Sequence, residues 1–267
     1  LTVGTLINCM NMIYGRIKVN NAALITVRTG STRLRNKALL EINGKTTIEH
    51  LIDRVKQCEL IDEIILCTTN LPEDDVLCRI AVKNEIKYYK GSVKDKLERW
   101  RGACKEYNVG FFVTVDGDDL FCEPQLIDMA VRDSKDEAID FIKCDEVICG
   151  AFTYGIRFEA LQKACEIKDT DDTEMMWVYF TETGEFNIHN LEIPKIFKRS
   201  DIRMTLDYEE DFQFFKKVIE HFGSLDFNLL DIVDYINKNP EVAKINIEME
   251  KLWANNQANT TKLEIKT

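Results

Sequence analysis

The residues best suited to chemistry lie in one short basic segment, VRTGSTRLRNK, which runs from Val27 to Lys37. It places three arginines and a lysine around one glycine and follows directly on the apolar run AALIT. The forked guanidinium group fits phosphate oxygens well, and exposed main-chain amides in such a turn form an anion-binding concavity. These are the parts needed to bind a di- or triphosphate. A solvated basic loop that pairs with surface acids explains the same residue types.

Five residues of this segment are candidate nucleotide contacts. Gly30 permits a tight turn and leaves room for a ligand beside the main chain. Ser31 adds a hydroxyl donor, while Arg28, Arg33 and Lys37 add charge-assisted donors. The segment matches neither G-x-x-x-x-G-K-[ST] nor G-x-G-x-x-G, which excludes a P-loop and a dinucleotide-binding loop.

Two acidic segments are candidate partners of the basic loop. In VTVDGDDLFCEP, Asp116, Asp118 and Asp119 follow directly on an apolar run, and carboxylates this close repel one another unless a cation offsets them. In RMTLDYEED, Asp207 stands at the end of an expected strand. Mg²⁺ takes one or two carboxylates together with water and phosphate oxygens, so it suits the DGDD turn. An ordinary polar turn at DGDD and a helix N-cap at Asp207 are the alternatives.

The composition restricts the class of partner. The chain has 267 residues, of which 45% are hydrophobic and 30% charged, and its formal net charge is −11. Such a charge argues against nucleic acid or an anionic membrane as a partner, so the basic segment indicates a small, highly charged anion. Nine cysteines without a C-x-x-C pair support neither a disulfide framework nor a zinc site, which favours a reducing cytoplasm. No apolar run reaches about 18 residues, so no transmembrane helix is expected.

Strand-like and helix-like segments alternate from Ala22 onward. AALITV, DEIILCTT and GFFVTV are short apolar runs of the kind found in strands buried on both faces. Segments such as TTIEHLIDRVKQC and YEEDFQFFKKVIEHFG carry apolar residues at helical spacing. The alternation predicts an α/β fold, a Rossmann-like, mostly parallel sheet with helices on both faces. Ligands of such sheets bind at the carboxyl ends of the strands, so the basic loop and the DGDD turn should face one crevice.

The expected organisation has three parts. Residues 22–223 form the core, with an inserted small subdomain at about 140–194, where the pattern is less regular. Residues 224–267 form a C-terminal helical extension. Residues 1–21 form an N-terminal segment of uncertain structure, and a start at Leu1 rather than methionine is consistent with a cut from a longer polypeptide.

Taken in order, the three charged segments resemble the signatures of the cytidylyltransferase family that activates acidic sugars. That family includes the CMP-sialate and CMP-KDO synthetases and the SpsF-like proteins. The first segment resembles R-x-G-S-x-R-L-x-x-K, the second a strand that ends in G-D, and the third R-x-T-[LIV]-D-x-x-E-D. The matching residues are Arg28, Gly30, Ser31, Arg33, Leu34, Lys37, Gly117, Asp118, Arg203, Thr205, Leu206, Asp207, Glu210 and Asp211.

The resemblance implies a nucleoside triphosphate, with CTP favoured, over the first turn. It also implies a sugar substrate, an acidic one by family, whose hydroxyl attacks the α-phosphorus while pyrophosphate leaves. Arg33 and Lys37 would hold the phosphates, with Arg28 and Ser31 nearby. Lys96 falls near the place where relatives carry a basic residue that contacts the nucleotide.

The resemblance further implies Mg²⁺ as the cofactor and a homodimer as the assembly. Asp118 and Asp207 would hold the metal, and Asp119 is positioned to replace or assist Asp118. Relatives commonly dimerise through the inserted region, where Trp177 and Tyr179 are better explained as interface residues than as a sugar pocket. The expected catalytic set is Lys37, Arg33, Asp118 and Asp207.

Three alternatives stay open from the residues alone. One keeps the chemistry and uses GTP or another triphosphate. Another is a non-catalytic nucleotide- or sugar-binding module of a larger protein, and a third is a glycosyltransferase with DGD as its metal site. Arg35 and Asn36 stand where many relatives have proline and glycine, a departure that keeps the second alternative in view.

Overall fold

A seven-stranded sheet organises the residues that the computed structural model describes, which are 20–258 and 263–266. Residues 1–19 of the expected N-terminal segment therefore lie outside the described residues. The first strand begins at Asn20, near the end of that segment. The strands are β1 (Asn20–Thr26), β2 (Glu41–Ile42), β3 (Lys45–Thr46), β4 (Glu63–Thr69), β5 (Lys87–Gly91), β6 (Val109–Asp116), β7 (Phe141–Lys143), β8 (Tyr154–Arg157) and β9 (Ile188–Asn190).

The order of strands in the sheet is β5-β4-β1-β6-β8-β7-β9, and β2 pairs with β3 in a separate hairpin. Neighbours among β5, β4, β1 and β6 are parallel, and β7 is parallel to β9. Only β8 among these strands runs against its neighbours, since it is antiparallel to both β6 and β7. The sheet of the described residues is thus mostly parallel.

Helices connect the strands. They are α1 (Thr47–Val55), α2 (Asp75–Lys83), α3 (Lys96–Tyr107), α4 (Pro124–Asp133), α5 (Phe158–Ile167), α6 (Val178–Thr181), α7 (Glu209–Phe222), α8 (Leu229–Lys238), α9 (Pro240–Ala243) and α10 (Met249–Ala258). Short 3₁₀ helices lie at Lys37–Leu39, Pro72–Asp74 and Lys195–Phe197.

Helices cover both faces of the sheet because the central strands are apolar on both. In β1, Ala23 and Ile25 face one hydrophobic core, while Ala22 and Leu24 face the other. Buried side chains of α1, α2, α4, α7 and α8 belong to the first core, and those of α3, α5 and α6 to the second. This confirms the predicted α/β fold with a mostly parallel sheet between two helical layers.

The stretch of residues 140–194, which we expected to be an inserted subdomain, adds three strands to the same sheet. β8 pairs with β6, and β7 and β9 continue the sheet outward. A methyl group at Gly155 would lie 2.7 Å from a ring carbon of Phe111, so only glycine lets β8 lie this close to β6. Strands of three or four residues are too short to show a period in the sequence.

The C-terminal extension packs its helices α8 and α9 into the first core rather than standing apart from it. A buried ion pair joins them to the rest: Arg54 of α1 donates to Glu123 at 3.0 Å and to the carbonyl oxygen of Phe227. The same oxygen of Glu123 accepts a hydrogen bond of 2.7 Å from the backbone N–H of Leu229, at the start of α8. One carboxylate therefore links three helices.

The expected strand RMTL forms only an isolated bridge between Arg203 and Cys149. The backbone N–H of Met204 donates to the Cys149 carbonyl and that of Leu206 to the Asp118 carbonyl, each at 2.9 Å. Its alternation of polar and apolar residues suggests one exposed face, yet every residue from 202 to 207 is buried. Its two charged side chains can be buried because each is paired: Arg203 with carboxylates, and Asp207 with Arg203 and Lys37.

Two further expectations concern the described residues as a whole. None of their helices is long and apolar enough to cross a bilayer. The cysteines in this part of the chain are all free thiols, and the sequence pattern predicts no disulfide framework.

We predict that Glu123→Ala lowers the free energy of unfolding by about 3–5 kcal/mol, because it leaves a buried guanidinium without its carboxylate. Urea unfolding followed by circular dichroism measures this loss. Glu137→Ala, which removes an exposed carboxylate, should change the same quantity by less than about 0.5 kcal/mol. Equal stability of the two variants would show that Glu123 does not join the helices as described.

Candidate active site

A cleft of about 1080 Å³ opens at the carboxyl ends of β1 and β6. It is lined on one side by the loop that follows β1, and on another by the DGDD turn that follows β6. The segment from Val147 to Tyr154 and residues around Trp177 complete the wall. This is the edge at which parallel α/β sheets bind ligands, so the fold places the charged segments where a substrate would enter.

Lys37 lies between two carboxylates at the centre of this cleft. Its ammonium nitrogen is 2.6 Å from Oδ2 of Asp118 and 2.9 Å from Oδ1 of Asp207. Arg33 donates to the same oxygen of Asp207. The expectation that the basic loop and the DGDD turn face one crevice is therefore confirmed, and the third segment joins them there.

Burial and charge act against each other in this cluster. Burial alone would lower the pKa of Lys37, but the carboxylates of Asp118 and Asp207 outweigh it and raise that pKa. Burial would raise the pKa of Asp207, yet Lys37 and Arg33 hold it below its usual value. For Asp118 burial prevails over Lys37, and its pKa is raised. Asp207 is therefore the stronger negative charge of the pair.

The loop geometry gives a reason for the departure from the proline-glycine pattern. Asn36 adopts a left-handed backbone conformation with φ of 52°, which asparagine tolerates better than most residues. It directly precedes Lys37, which begins a 3₁₀ turn and whose carbonyl oxygen accepts a hydrogen bond from the Thr47 hydroxyl. Asparagine in place of glycine thus keeps the turn that carries Lys37 toward the carboxylates.

Gly117 allows the strand ends to meet. Its N–H donates to the Thr26 carbonyl at 2.8 Å, and a methyl group on it would lie 2.6 Å from Cβ of Val27. Any larger residue would push the end of β6 away from β1. Since Asp118 is the next residue, the glycine determines how close that carboxylate comes to Lys37.

Asp119, the expected substitute for Asp118, also lines the cleft but is buried. Burial and the neighbouring charge of Asp118 raise its pKa well above the usual value. Its carboxylate accepts a long hydrogen bond of 3.4 Å from the Thr153 hydroxyl. Asp119 is therefore a weaker acid than Asp207, which makes it the less favourable metal ligand of the two.

Lys96, at the start of α3, lies on the opposite side of the β6 end. Its nitrogen is 2.9 Å from Oδ1 of Asp116 and 5.3 Å from the centre of the Trp100 ring. The Trp100 indole in turn donates to the Thr26 hydroxyl at 2.8 Å. Lys96 is thus a positioned cation within the same cleft, and its contact with the nucleotide stays a prediction.

The remaining candidates of the basic loop line the mouth of the cleft. Arg28 is exposed, and its guanidinium lies 3.5 Å from a carboxylate oxygen of Glu174. A methyl group on Gly30 would meet nothing within 4 Å, which leaves open space beside the main chain. Gly30 does not adopt a left-handed conformation, so its use is room for a ligand rather than the turn itself. Ser31 borders the same space.

Among the described residues, no group of three or more His, Cys, Asp and Glu side chains could enclose a metal ion. Asp118 and Asp207 nevertheless each contact the same cation, the Lys37 ammonium, through a carboxylate oxygen. Two carboxylates are the usual protein share of a Mg²⁺ site completed by water and phosphate. The donor set therefore fits Mg²⁺ bound together with a nucleotide and does not fit a closed structural metal site.

The family model for cytidylyltransferases matches residues 22–240. The chain belongs to the cytidylyltransferase family. An uncharacterised protein of Methanocaldococcus jannaschii is 32% identical over 225 residues, which cover 84% of this chain and 93% of that protein. The spore coat polysaccharide biosynthesis protein SpsF of Bacillus subtilis is 22% identical over 228 residues, or 82% and 95% of the two chains. The structure of a cytidylyltransferase from Leptospira borgpetersenii superposes with a TM-score of 0.78 at 25% identity, covering 85% of this chain and 97% of that one.

As a cytidylyltransferase, the chain is a nucleotidyltransferase enzyme. The predicted family is thereby confirmed, and the reading as a non-catalytic binding module loses its support. The individual roles of Arg28, Ser31, Arg33, Lys37 and Lys96 stay predictions.

Several ambiguous residues of this cytidylyltransferase have structural roles. Tyr179, expected at a subunit interface, is buried in the second core, whereas Trp177 lines the cleft. Arg157 donates to the carbonyl oxygens of Ser134, Asp136 and Ile139. It therefore closes the turn between α4 and β7.

The three histidines also lie outside the cleft of the cytidylyltransferase. His50 contacts the carbonyl oxygen of Ile42 at 2.8 Å, and His221 stacks on Tyr235. His189 lies 2.9 Å from a carboxylate oxygen of Asp133. Each of them therefore has a local partner rather than a place in the cleft.

Asp74 is a residue of the site that sequence reasoning missed. It is buried behind the basic loop and accepts hydrogen bonds from the backbone N–H and hydroxyl of Thr29 and from the hydroxyl of Thr69. Along the chain, its segment PEDD shows only a proline and acidic residues at the start of a helix. Only the neighbouring position of the β1 and β4 ends, which no local pattern indicates, brings Asp74 to Thr29.

We predict that Asp74→Ala lowers the free energy of unfolding at pH 7 by about 2 kcal/mol, since several hydrogen bonds to a charged group are lost. Burial tends to raise the pKa of Asp74, but the hydrogen bonds from Thr69 and Thr29 outweigh it and lower that pKa. The stabilisation is therefore present above the pKa of an unfolded aspartate, about 3.9, and disappears as the pH falls through the lower folded value.

Urea unfolding at several pH values tests this prediction. The difference between the wild type and Asp74→Ala should shrink below about pH 4. Glu73→Ala, which removes the exposed neighbouring carboxylate, serves as the matched control. A difference that stays constant down to the lowest pH would contradict the role of the Asp74 carboxylate.

Proposed function

We propose that this cytidylyltransferase transfers CMP from CTP to a sugar with the help of Mg²⁺ and releases pyrophosphate. The observation that carries the proposal is the meeting of Lys37, Arg33, Asp118 and Asp207 in one cleft. Two cations and two carboxylates in contact suit a ligand that itself combines a polyphosphate with a divalent cation.

The chemistry needs alignment and charge neutralisation more than covalent help from the protein. A hydroxyl oxygen of the sugar forms a bond to the α-phosphorus, and the bond from that phosphorus to the oxygen bridging to the β-phosphorus breaks. Pyrophosphate leaves, and the hydroxyl proton passes to solvent. Arg33 and Lys37 bind phosphate oxygens and stabilise the charge that develops on the leaving group.

Asp118 and Asp207 would hold the Mg²⁺. The ion, when bound, neutralises phosphate charge and makes the α-phosphorus a better electrophile. Lys96 and Arg28, which also line the cleft, contribute further cations toward the nucleotide. Ser31 and the open space at Gly30 leave the main chain accessible to phosphate oxygens.

The sugar is proposed to be acidic and the nucleobase to be cytosine. The family description supports cytosine, and the motif resemblance to CMP-sialate and CMP-KDO synthetases supports an acidic sugar. The relative SpsF is a spore coat polysaccharide biosynthesis protein, which supports a sugar as the acceptor. We further propose that the protein is a homodimer and that it works in the cytoplasm. The free cysteines favour the cytoplasm, because it keeps thiols reduced.

We predict that Lys37→Ala and Asp207→Ala each lower kcat by at least about 10²-fold, because the first removes a cation that binds the phosphates and the second removes a carboxylate that would hold the Mg²⁺. Pyrophosphate release from CTP, Mg²⁺ and a panel of acidic and neutral sugars measures the effect. Lys45→Ala removes an exposed lysine that pairs with Asp53, and it should retain full activity. Full activity in the Lys37 and Asp207 variants would show that the cluster of Lys37, Arg33, Asp118 and Asp207 is not catalytic.

We also predict that CTP with Mg²⁺ raises Tm more than ATP, GTP or UTP with Mg²⁺ does. A ligand that binds only the folded state stabilises it by mass action, about 2.7 kcal/mol at one hundred times Kd. Thermal-shift titration of the four triphosphates, each with and without Mg²⁺, measures the preference. A larger shift with GTP would replace CTP in the proposal and leave the rest of the chemistry intact.

A further inference from the structure

Helix α10 lies beyond residue 240, where the family match ends, yet it contacts Arg203, a direct neighbour of Asp207. Its Glu250 accepts a hydrogen bond of 2.5 Å from the guanidinium of Arg203. Trp253, one turn further along the same helix, lines the cleft. A segment outside the shared family core thus borders the site.

Arg203 connects this helix to Asp207. Its side chain is completely buried, and its three nitrogens contact three different carboxylates. Nε donates to Asp211 at 3.1 Å, one terminal nitrogen to Glu250, and the other to Oδ2 of Asp207 at 3.3 Å. The contact to Asp207 is the longest, and it exceeds the usual range of about 2.7–2.9 Å for such pairs.

The backbone around Asp207 is held by the same group of side chains. Asp211 accepts hydrogen bonds of 2.9 Å from the backbone N–H groups of Asp207 and Tyr208. Asn246, also beyond the family match, donates to the Arg203 carbonyl and to the Asp211 carboxylate. Arg203 and Asp211, which both contact Asp207, are therefore hydrogen-bonded to residues of the C-terminal extension.

Because Arg203 is shared among three carboxylates, its pairing with Asp207 is only partial. Glu250 and Asp211 take the two closer contacts and orient the guanidinium away from full pairing with Asp207. Without the Glu250 charge, the freed end of Arg203 would be attracted to the nearest remaining carboxylates, and Asp207 is one of them. An Asp207 that pairs more closely with Arg203 has less charge to offer another cation.

We propose that Glu250 is a positioning residue for the reaction: by holding Arg203, it keeps Asp207 available to Mg²⁺ and the bound triphosphate. This inference rests on the proposed function, because it assigns Asp207 a metal-binding role. It extends the working site past the part of the chain that the family model matches, to a helix near the C-terminal end of the described residues.

The decisive variant is Glu250→Gln, which keeps the shape of the side chain and removes its charge. The Glu250 side chain is 37% exposed, so the variant should fold. Glu248→Gln is the matched control, since it makes the same change two residues earlier on a 70% exposed side chain that pairs with Lys251. Thermal unfolding checks that both variants and the wild type have the same fold.

The first measurement is Mg²⁺ binding without turnover. Calorimetric titration of Mg²⁺ into protein with a non-hydrolysable CTP analogue should show an affinity about tenfold weaker for Glu250→Gln than for the wild type, the usual scale for removing a group that orients a metal ligand. Glu248→Gln should bind as the wild type does. Equal affinity in all three proteins would overturn the inference.

The second measurement separates positioning from a purely structural role. Activity as a function of Mg²⁺ should show a half-activating concentration raised about tenfold in Glu250→Gln, with kcat at saturating Mg²⁺ within about twofold of wild type. A lower Tm with an unchanged Mg²⁺ dependence would reduce Glu250 to a structural residue. If the wild type itself shows no Mg²⁺-dependent binding of the CTP analogue, the proposed function fails and this inference with it.

Discussion

The ammonium group of Lys37, held between Asp118 and Asp207, is the interaction on which the rest of the site depends. Its contacts join segments separated by 81 and 170 positions in the chain. Two carboxylates this close, one of them buried, would repel each other strongly unless a cation lay between them. The fold therefore has to bring the β1 loop, the end of β6 and the approach to α7 to one point.

That requirement explains several features with no direct part in chemistry. Gly117 lets the ends of β1 and β6 touch, and Asp74 fastens the loop after β1 from behind. Arg203 and Asp211, both buried, hold the backbone and one oxygen of Asp207. Burying either charged group alone would be costly. Both are tolerated because ion pairs and hydrogen bonds with their partners offset the lost hydration.

The same balance shows how a chain with a net charge of −11 can hold a triphosphate. Charges in the cleft are paired one with another rather than summed into a basic surface, as in the pairs of Lys37 with Asp207 and Lys96 with Asp116. On the proposed function, a ligand that carries both a polyphosphate and Mg²⁺ provides a partner for each sign. A polyanion without a metal would find half of the cleft repulsive.

The sequence by itself determined whatever leaves a local trace. Continuous apolar runs such as AALIT predicted buried strands, helical spacing predicted α1 and α7, and the ordered motifs predicted the family and the meeting of Lys37 with Asp118 and Asp207. The tertiary structure alone decided the three short strands of residues 140–194, the pairing of Asp74 with Thr29, and the reach of Glu250 to Arg203. These depend on contacts between residues 45 or more positions apart, or on strands of three or four residues, and neither produces a repeat that can be seen along the chain. Only packing of the whole chain brings such groups within bonding distance.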